Sequence, residues 1–296
     1  MNGMTTTFKK IIGATLVSSV AVFGAQAEQT QSSVWKVSKG EDTVLVGGTV
    51  HILPVSEFPL PSQFDAAYKL ADAVVLETKL PDPTDQQAQL KLMQGMMYNN
   101  GENIKQHISP ETVARLTDYF ASIGGNFEQM AGFRPGPLAS VIVMMEAQRA
   151  GIAGQGVDAY YSQIAQRDQK PLEYLESLDF QLELMAKMGQ GEEDFMLNQN
   201  LDYVPKVGDL IKDMIAAWRV GDTKVLNELA LVKMKQDSPK SYDAMMTQRN
   251  IDWVPKIEAM FGDDDKELVL VGVGHLVGED SVLKMLEEKG YKVERF

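Results

Sequence analysis

The sequence predicts an α/β protein: two βα modules forming one mostly parallel sheet, with a large helical middle segment between them. Three observations carry this. Short runs rich in β-branched residues lie near both ends of the chain, bounded by turn residues. Helical patterns follow the strands within each end. Between the ends, over roughly residues 84–260, apolar residues recur mainly at helical spacing, and no linker rich in Pro, Gly or Ser intervenes. Residues 28–296 are therefore expected to form one α/β domain with a helical insertion.

The first 27 residues read as a secretory signal peptide. Lys9 and Lys10 give a positive start, Ile11 to Phe23 a short apolar stretch, and Ala25-Gln26-Ala27 a small-residue cleavage site. Cleavage near Ala27 implies a periplasmic or secreted chain with no membrane attachment afterwards. Val34–Val37 and Thr43–Val46 flank a Lys-Gly-Glu-Asp turn and predict a hairpin. Ser62 with Asp65 has the form of a capping box, opening a helix whose Phe64, Ala67, Tyr68 and Ala71 share a face. Ala73–Glu77 is a buried strand, and the strand–helix–strand length suits a parallel βαβ unit.

In the middle, Ser109-Pro110-Glu111 combines a cap, an N1 proline and a first-turn acid, and the helix it opens ends at Gly124. Pro137–Ala150 predicts a central buried helix. Ala159–Arg167 followed by Pro171–Glu176 predicts a further helix and strand, with Asp158 as N-cap. Val207 to Trp218 traces an amphipathic helix stopped at Gly221, and helices over 223–234 and 241–260 follow, the second bent near Asn250. Leu268–Gly272, a helix over 281–289 and a strand over 291–295 make a closing βαβ pattern.

Composition narrows the chemistry. There are 28 Lys and Arg against 41 Asp and Glu, a net charge of −13, which argues against wrapping nucleic acid. The chain has no cysteine, removing disulfides, thiolate metal sites and cysteine nucleophiles. Phosphate-cradling, dinucleotide-binding, Gly-x-Ser-x-Gly, His-Glu-x-x-His and EF-hand patterns are missing too. The 17 methionines fall mostly at helical spacing (Met144, Met145, Met214, Met245, Met246) and read as core filling.

Two of the three histidines share a context. Gly48-Thr49-Val50-His51 and Gly272-Val273-Gly274-His275 each follow a β-rich run. Both imidazoles thus fall at carboxyl ends of strands, where open α/β sheets gather ligands. Glu77 ends the strand of the first module and would stand beside His51 as metal ligand or general base. Glu176, in a similar setting after Leu175, and Gln181, one helical turn on, are further candidates. Arg249-Asn250 precedes Trp253, and Arg134-Pro135-Gly136-Pro137 forms a rigid loop. His107 is assigned no role.

In that ordered set of motifs, from Trp35 to the final strand, the chain resembles the TraB/GumN (TraB/PrgY/GumN, Tiki-related) family. The resemblance implies a core akin to erythromycin-esterase-like (EreA) and ChaN-like proteins. It implies a metal-dependent hydrolase, peptidase-like, acting on a peptide or small-molecule substrate. His51, His275 and Glu77 would hold a divalent ion (Zn, Mn or Co), with Glu77, Arg249, Asn250 and Glu176 as catalytic groups. The alternatives are a non-catalytic binding protein for a peptide, metal or haem, and an accessory factor in envelope polysaccharide production. Arg134 lacks the aromatic expected beside it.

Overall fold

A computed structural model describes residues 32–79, 81, 84–99, 101–262 and 264–296. The expected signal peptide lies outside the described residues. The chain enters as a hairpin, β1 (Val34–Lys39) and β2 (Asp42–Thr49), then α1 (Ser62–Leu70) and β3 (Ala73–Leu76). The helical middle opens with α2 (Gln86–Met96), α3 (Pro110–Ser122), α4 (Pro135–Arg149) and α5 (Val157–Arg167). A short strand β4 (Leu172–Tyr174) interrupts it before α6 (Leu178–Lys187), α7 (Glu193–Tyr203) and α8 (Val207–Val220). Then come α9 (Thr223–Asn227), α10 (Lys233–Asp237), α11 (Pro239–Tyr242) and α12 (Gln248–Glu258). The chain closes with β5 (Glu267–Gly272), α13 (Val282–Glu288) and β6 (Lys292–Arg295).

The sheet has six strands in the order β4-β3-β5-β2-β1-β6. β2, β3 and β4 join the sheet through parallel pairings with β5 or with one another. β1 is antiparallel to both neighbours, so it alone runs against the rest, and the sheet is mostly parallel as expected. Neither βαβ pattern closes onto an adjacent strand. β5 inserts between β2 and β3, and β6 crosses to the far edge beside β1, although in each case the two strands run the same way. Sequence-local patterns fix direction; the order comes from long-range burial.

Alternation along the strands feeds two cores. Val34, Leu45, Val74, Leu76, Leu268 and Leu270 face one side, where Phe64, Tyr161 and Trp218 pack from α1, α5 and α8. Val37, Val44, Val46, Val75, Val269 and Val271 face the other, against Trp253 and Ile257 of α12 and Leu286 of α13. A third cluster joins α3, α4 and α7 through Leu116, Phe120, Leu138, Ile142 and Leu197. Trp218 ties layers together: its Nε1 donates to Gly48 O at 2.7 Å, and its own carbonyl accepts from Ser33 Oγ at 2.8 Å.

Several local expectations are corrected. Ser62 is the first residue of α1, not its cap; Pro61 precedes it and no side chain caps the helix. Asp65 instead accepts from Tyr161 Oη at 2.8 Å. α4 begins at Pro135, two residues early, and α5 at Val157 with Gly156 in the cap position, so Asp158 is not the N-cap. The bend expected near Asn250 falls just earlier, as a π-helical turn over Asp243–Thr247 leading into α12, and a second spans Glu228–Val232. Ser109 does cap α3, accepting from Thr112 N. No described helix is long and apolar enough to cross a membrane.

Replacing Trp218 with Phe keeps an apolar ring but strands the Gly48 carbonyl. Denaturant unfolding is expected to show a loss of about 2 kcal/mol.

Candidate functional site

Four neighbouring parallel strands deliver four side chains to one edge. Reading across β4, β3, β5 and β2, the residues just beyond their carboxyl ends include Glu176, Glu77, His275 and His51. That edge is where parallel sheets gather ligands. Gly272 sits at the meeting point. A Cβ built there would lie 3.2 Å from Glu77 Oε1, 3.5 Å from His51 Nε2 and 3.7 Å from the His275 ring. Its N–H donates to Glu77 Oε1 at 2.6 Å. Glycine leaves the room in which the three groups converge.

Arg249, on α12, is the hub. Its Nη2 donates to Glu77 Oε2 and to Glu176 Oε1, both at 2.6 Å. Nε reaches Glu176 at 3.1 and 3.2 Å, and Nη1 reaches Met245 O at 3.2 Å. Met245 lies in the π-helical turn, where a shifted backbone frees carbonyls for side chains. Nη1 also stands 3.0 Å from His275 Nε2. A guanidinium is always a donor, so His275 Nε2 accepts, and Nδ1 carries the proton and donates to Asn250 Oδ1 at 2.6 Å. Asn250 is held in turn by donating to Asp280 O. Trp253 completes the set: its Nε1 donates to Glu176 Oε2 at 3.1 Å, and the Arg249 guanidinium lies 4.6 Å from its ring centre.

Charges follow. Burial would raise the Glu77 carboxyl, but the His275 and His51 imidazoles, Arg249 and the Gly272 N–H outweigh it and lower it to about 2. Burial lowers His275 to about 3, assisted by Arg249 and His51 against the pull of Glu77, so its ring is neutral. Burial also opposes the charge on Arg249, yet Glu176 and Glu77 raise its pKa further. His51 differs. Its side chain is 64 % exposed, and Nδ1 lies 3.2 Å from Asp158 Oδ1. Desolvation by the surrounding walls opposes protonation, and Asp158 with Glu77 overcomes it, raising His51 to about 9.

Asp158 is the partner that sequence reasoning missed by treating it as a cap. The physical reason is Gly156, whose missing side chain lets the loop lie directly on the His51 backbone, with Val157 N donating to Val50 O at 3.0 Å. Gln181 joins the site, donating to Glu176 at 2.8 Å and Glu77 at 3.2 Å. Arg134 stays outside, its Nε on Met97 O and its guanidinium over Tyr98. His107 stacks on Tyr98 and has no part in the site.

His51, Glu77, Asp158, Gln181 and Arg249 supply the charged and amide lining of a cavity of about 510 Å³. Leu184, Met185, Met188 and Met245 form much of the apolar wall. Met245 therefore serves the cleft as well as the core. As arranged, the floor is not a metal cage. Among the described residues no group of three or more His, Asp or Glu side chains is placed to hold an ion. Arg249 covers the acceptor nitrogen of His275 and the Oε2 atom of Glu77.

The TraB/PrgY/gumN family profile matches residues 33–295, and the chain belongs to that family. It is 25 % identical to "Uncharacterized protein YbaP" of Escherichia coli over 81 % of this chain and 86 % of that protein. It is 22 % identical to "Metalloprotease TIKI1" of Danio rerio, over 89 % of this chain and 63 % of that protein. It is 23 % identical to "Metalloprotease TIKI2" of Xenopus tropicalis, over 90 % and 60 %. No solved structure matches.

Removing the hub leaves two carboxylates facing each other. Arg249→Met is expected to cost about 3–5 kcal/mol in urea unfolding, and adding Glu176→Gln to restore part of it. The Glu77 shift also sets a pH dependence. Its folded value lies below its ordinary 4.5, so its stabilisation is complete above 4.5 and fades as pH falls towards 2. The stability gap between wild type and Glu77→Gln should shrink over that window.

Proposed function

We propose that this chain is a hydrolase that binds and cleaves a peptide in the cleft at the carboxyl edge of the sheet, after export from the cytoplasm. The observation that supports it is the meeting of His51, Glu77 and Arg249 on the polar floor of a cavity with an apolar wall. The similarity to two metalloproteases supports the reaction class.

Each group has a role that its surroundings suit. His51, kept protonated near neutral pH by Asp158, is an acid able to deliver a proton to the leaving amine. Glu77, held ionised, orients the attacking water as a hydrogen-bond acceptor, and the proton the water loses returns to His51 once the amine has taken its own. Arg249 keeps fixed positive charge beneath the reacting carbonyl, the kind of preorganised field that stabilises a developing oxyanion. Glu176, saturated by Arg249, Trp253 and Gln181, is a positioning residue, and Asn250 positions His275.

A divalent ion is the cofactor that the metalloprotease similarity suggests, and Zn, Mn or Co suit imidazole and carboxylate donors. Glu77 and His51, the latter only after giving up its proton, are two of its three proposed ligands. The third, His275, does not fit while Arg249 occupies its acceptor nitrogen, so no step above is routed through an ion.

The test is cleavage of a mixed peptide library by purified chain, run with chelator and with added Zn, Mn or Co. His51→Ala and Glu77→Gln are each expected to lose about a hundredfold or more of turnover. Unchanged cleavage in both variants would overturn the assignment. Peptide binding without turnover under every condition would replace it with the binding-protein reading.

A further inference from the structure

Two threonines of the cleft are left out of every network described above. Thr49 ends β2, two residues before His51, and Thr78 follows Glu77. Both line the cavity. Both are buried, at 2 % and 6 % exposure, and neither hydroxyl has a hydrogen-bond partner among the described residues. An unmatched buried hydroxyl is costly, and native proteins keep few of them. Two flanking one reactive floor, each beside a proposed reacting side chain, mark a place where a ligand supplies the missing partners.

We propose that Thr49 and Thr78 are substrate-binding residues, whose hydroxyls hydrogen-bond the main-chain amides of a peptide while its large apolar side chain packs on the methionine wall. This deepens the hydrolase reading and rests on it for the site. A hydroxyl offers one proton and two lone pairs, so it matches either a carbonyl or an N–H. Neutral groups suit a neutral backbone amide, leaving the charged groups of the floor to the reacting bond. Each oxygen is hidden in the recorded rotamer, and a 120° turn about χ1, which moves the hydroxyl into the place of another Cβ substituent, is the adjustment that meets a ligand. Leu184, Met185, Met188 and Met245, which line the same cavity, carry no charge to satisfy. Thioether side chains are unbranched and polarisable, and they adapt to apolar groups of differing shape.

The probe is N-acetyl-leucyl-leucine amide, whose equilibrium binding is measured by calorimetry on the full chain, with melting temperature recorded for every variant. Thr49→Val and Thr78→Val remove only the hydroxyls. Each is expected to weaken binding about threefold to tenfold, with melting temperature unchanged or raised, because an unmatched buried group has been removed. Thr→Ser at either position should bind the probe as wild type does. N-acetyl-glycyl-glycine amide, lacking the apolar side chains, should bind at least about tenfold more weakly. Valine variants that bind normally but melt lower would overturn the proposal, since the hydroxyls would then be structural. Failure of the wild type to bind the leucine probe would overturn it as well. Binding is read without turnover, so a probe bound through the threonines while the peptide library is never cleaved defeats the hydrolase reading and leaves this one standing.

Discussion

One guanidinium holds the site together. Arg249 reaches the ends of three parallel strands at once, taking a carboxylate from β3, another from β4 and the imidazole that follows β5. Two carboxylates sharing a buried place would repel, and one would have to take up a proton. A planar cation with five donors removes that conflict, which a lysine's single ammonium could not do with the same geometry. The arginine is itself fixed, between the Trp253 ring and the Met245 carbonyl of the π-helical turn. The helix that carries the hub is thus shaped for it.

The rest of the architecture serves the same edge. Five strands running one way aim their carboxyl ends at a common line, and the order β4-β3-β5-β2 sets Glu176, Glu77, His275 and His51 side by side. The helical middle contributes what the sheet cannot, an apolar wall from α6 and the Met245 turn, and an acid from α5. The two imidazoles then diverge in character despite their matching motifs. His275 is buried, neutral and pinned by Asn250 and Arg249. His51 stands open to the cleft and is drawn towards the charged form by Asp158.

Much of this was legible in the sequence, for identifiable reasons. The core strands are β-branched runs with sharp ends, and the two Gly-x-x-His motifs are so alike in a chain with three histidines that a shared site follows. Arg249, Glu176 and Gln181, each singled out in the sequence, stand beside Glu77 in the structure. What was not legible is what depends on distant packing. The insertion of β5 between β2 and β3 has no local signature. Asp158 has the appearance of a helix cap, and only the close approach of Gly156 to the His51 backbone turns it into an imidazole partner. Ser62 and Asp65 match a capping box, yet Asp65 is claimed by Tyr161 from another helix. The role proposed for Thr49 and Thr78 had no sequence signal, although Thr49 lies inside a Gly-x-x-His motif, because an unmatched hydroxyl exists only once the fold surrounds it.

The chain belongs to the TraB/PrgY/gumN family and is similar to two metalloproteases, and the Arg249 hub gives its candidate site a particular form. The most direct measurement of the hub is nitrogen NMR of the imidazole rings across a pH series, with three histidines to assign. The account predicts that His275 keeps its proton on Nδ1, with Nε2 as acceptor, and stays neutral through the range where an ordinary imidazole titrates near 6.5, protonating only towards about 3. A His275 ring protonated on Nε2, or one that titrates near 6.5, would show that Arg249 does not hold it.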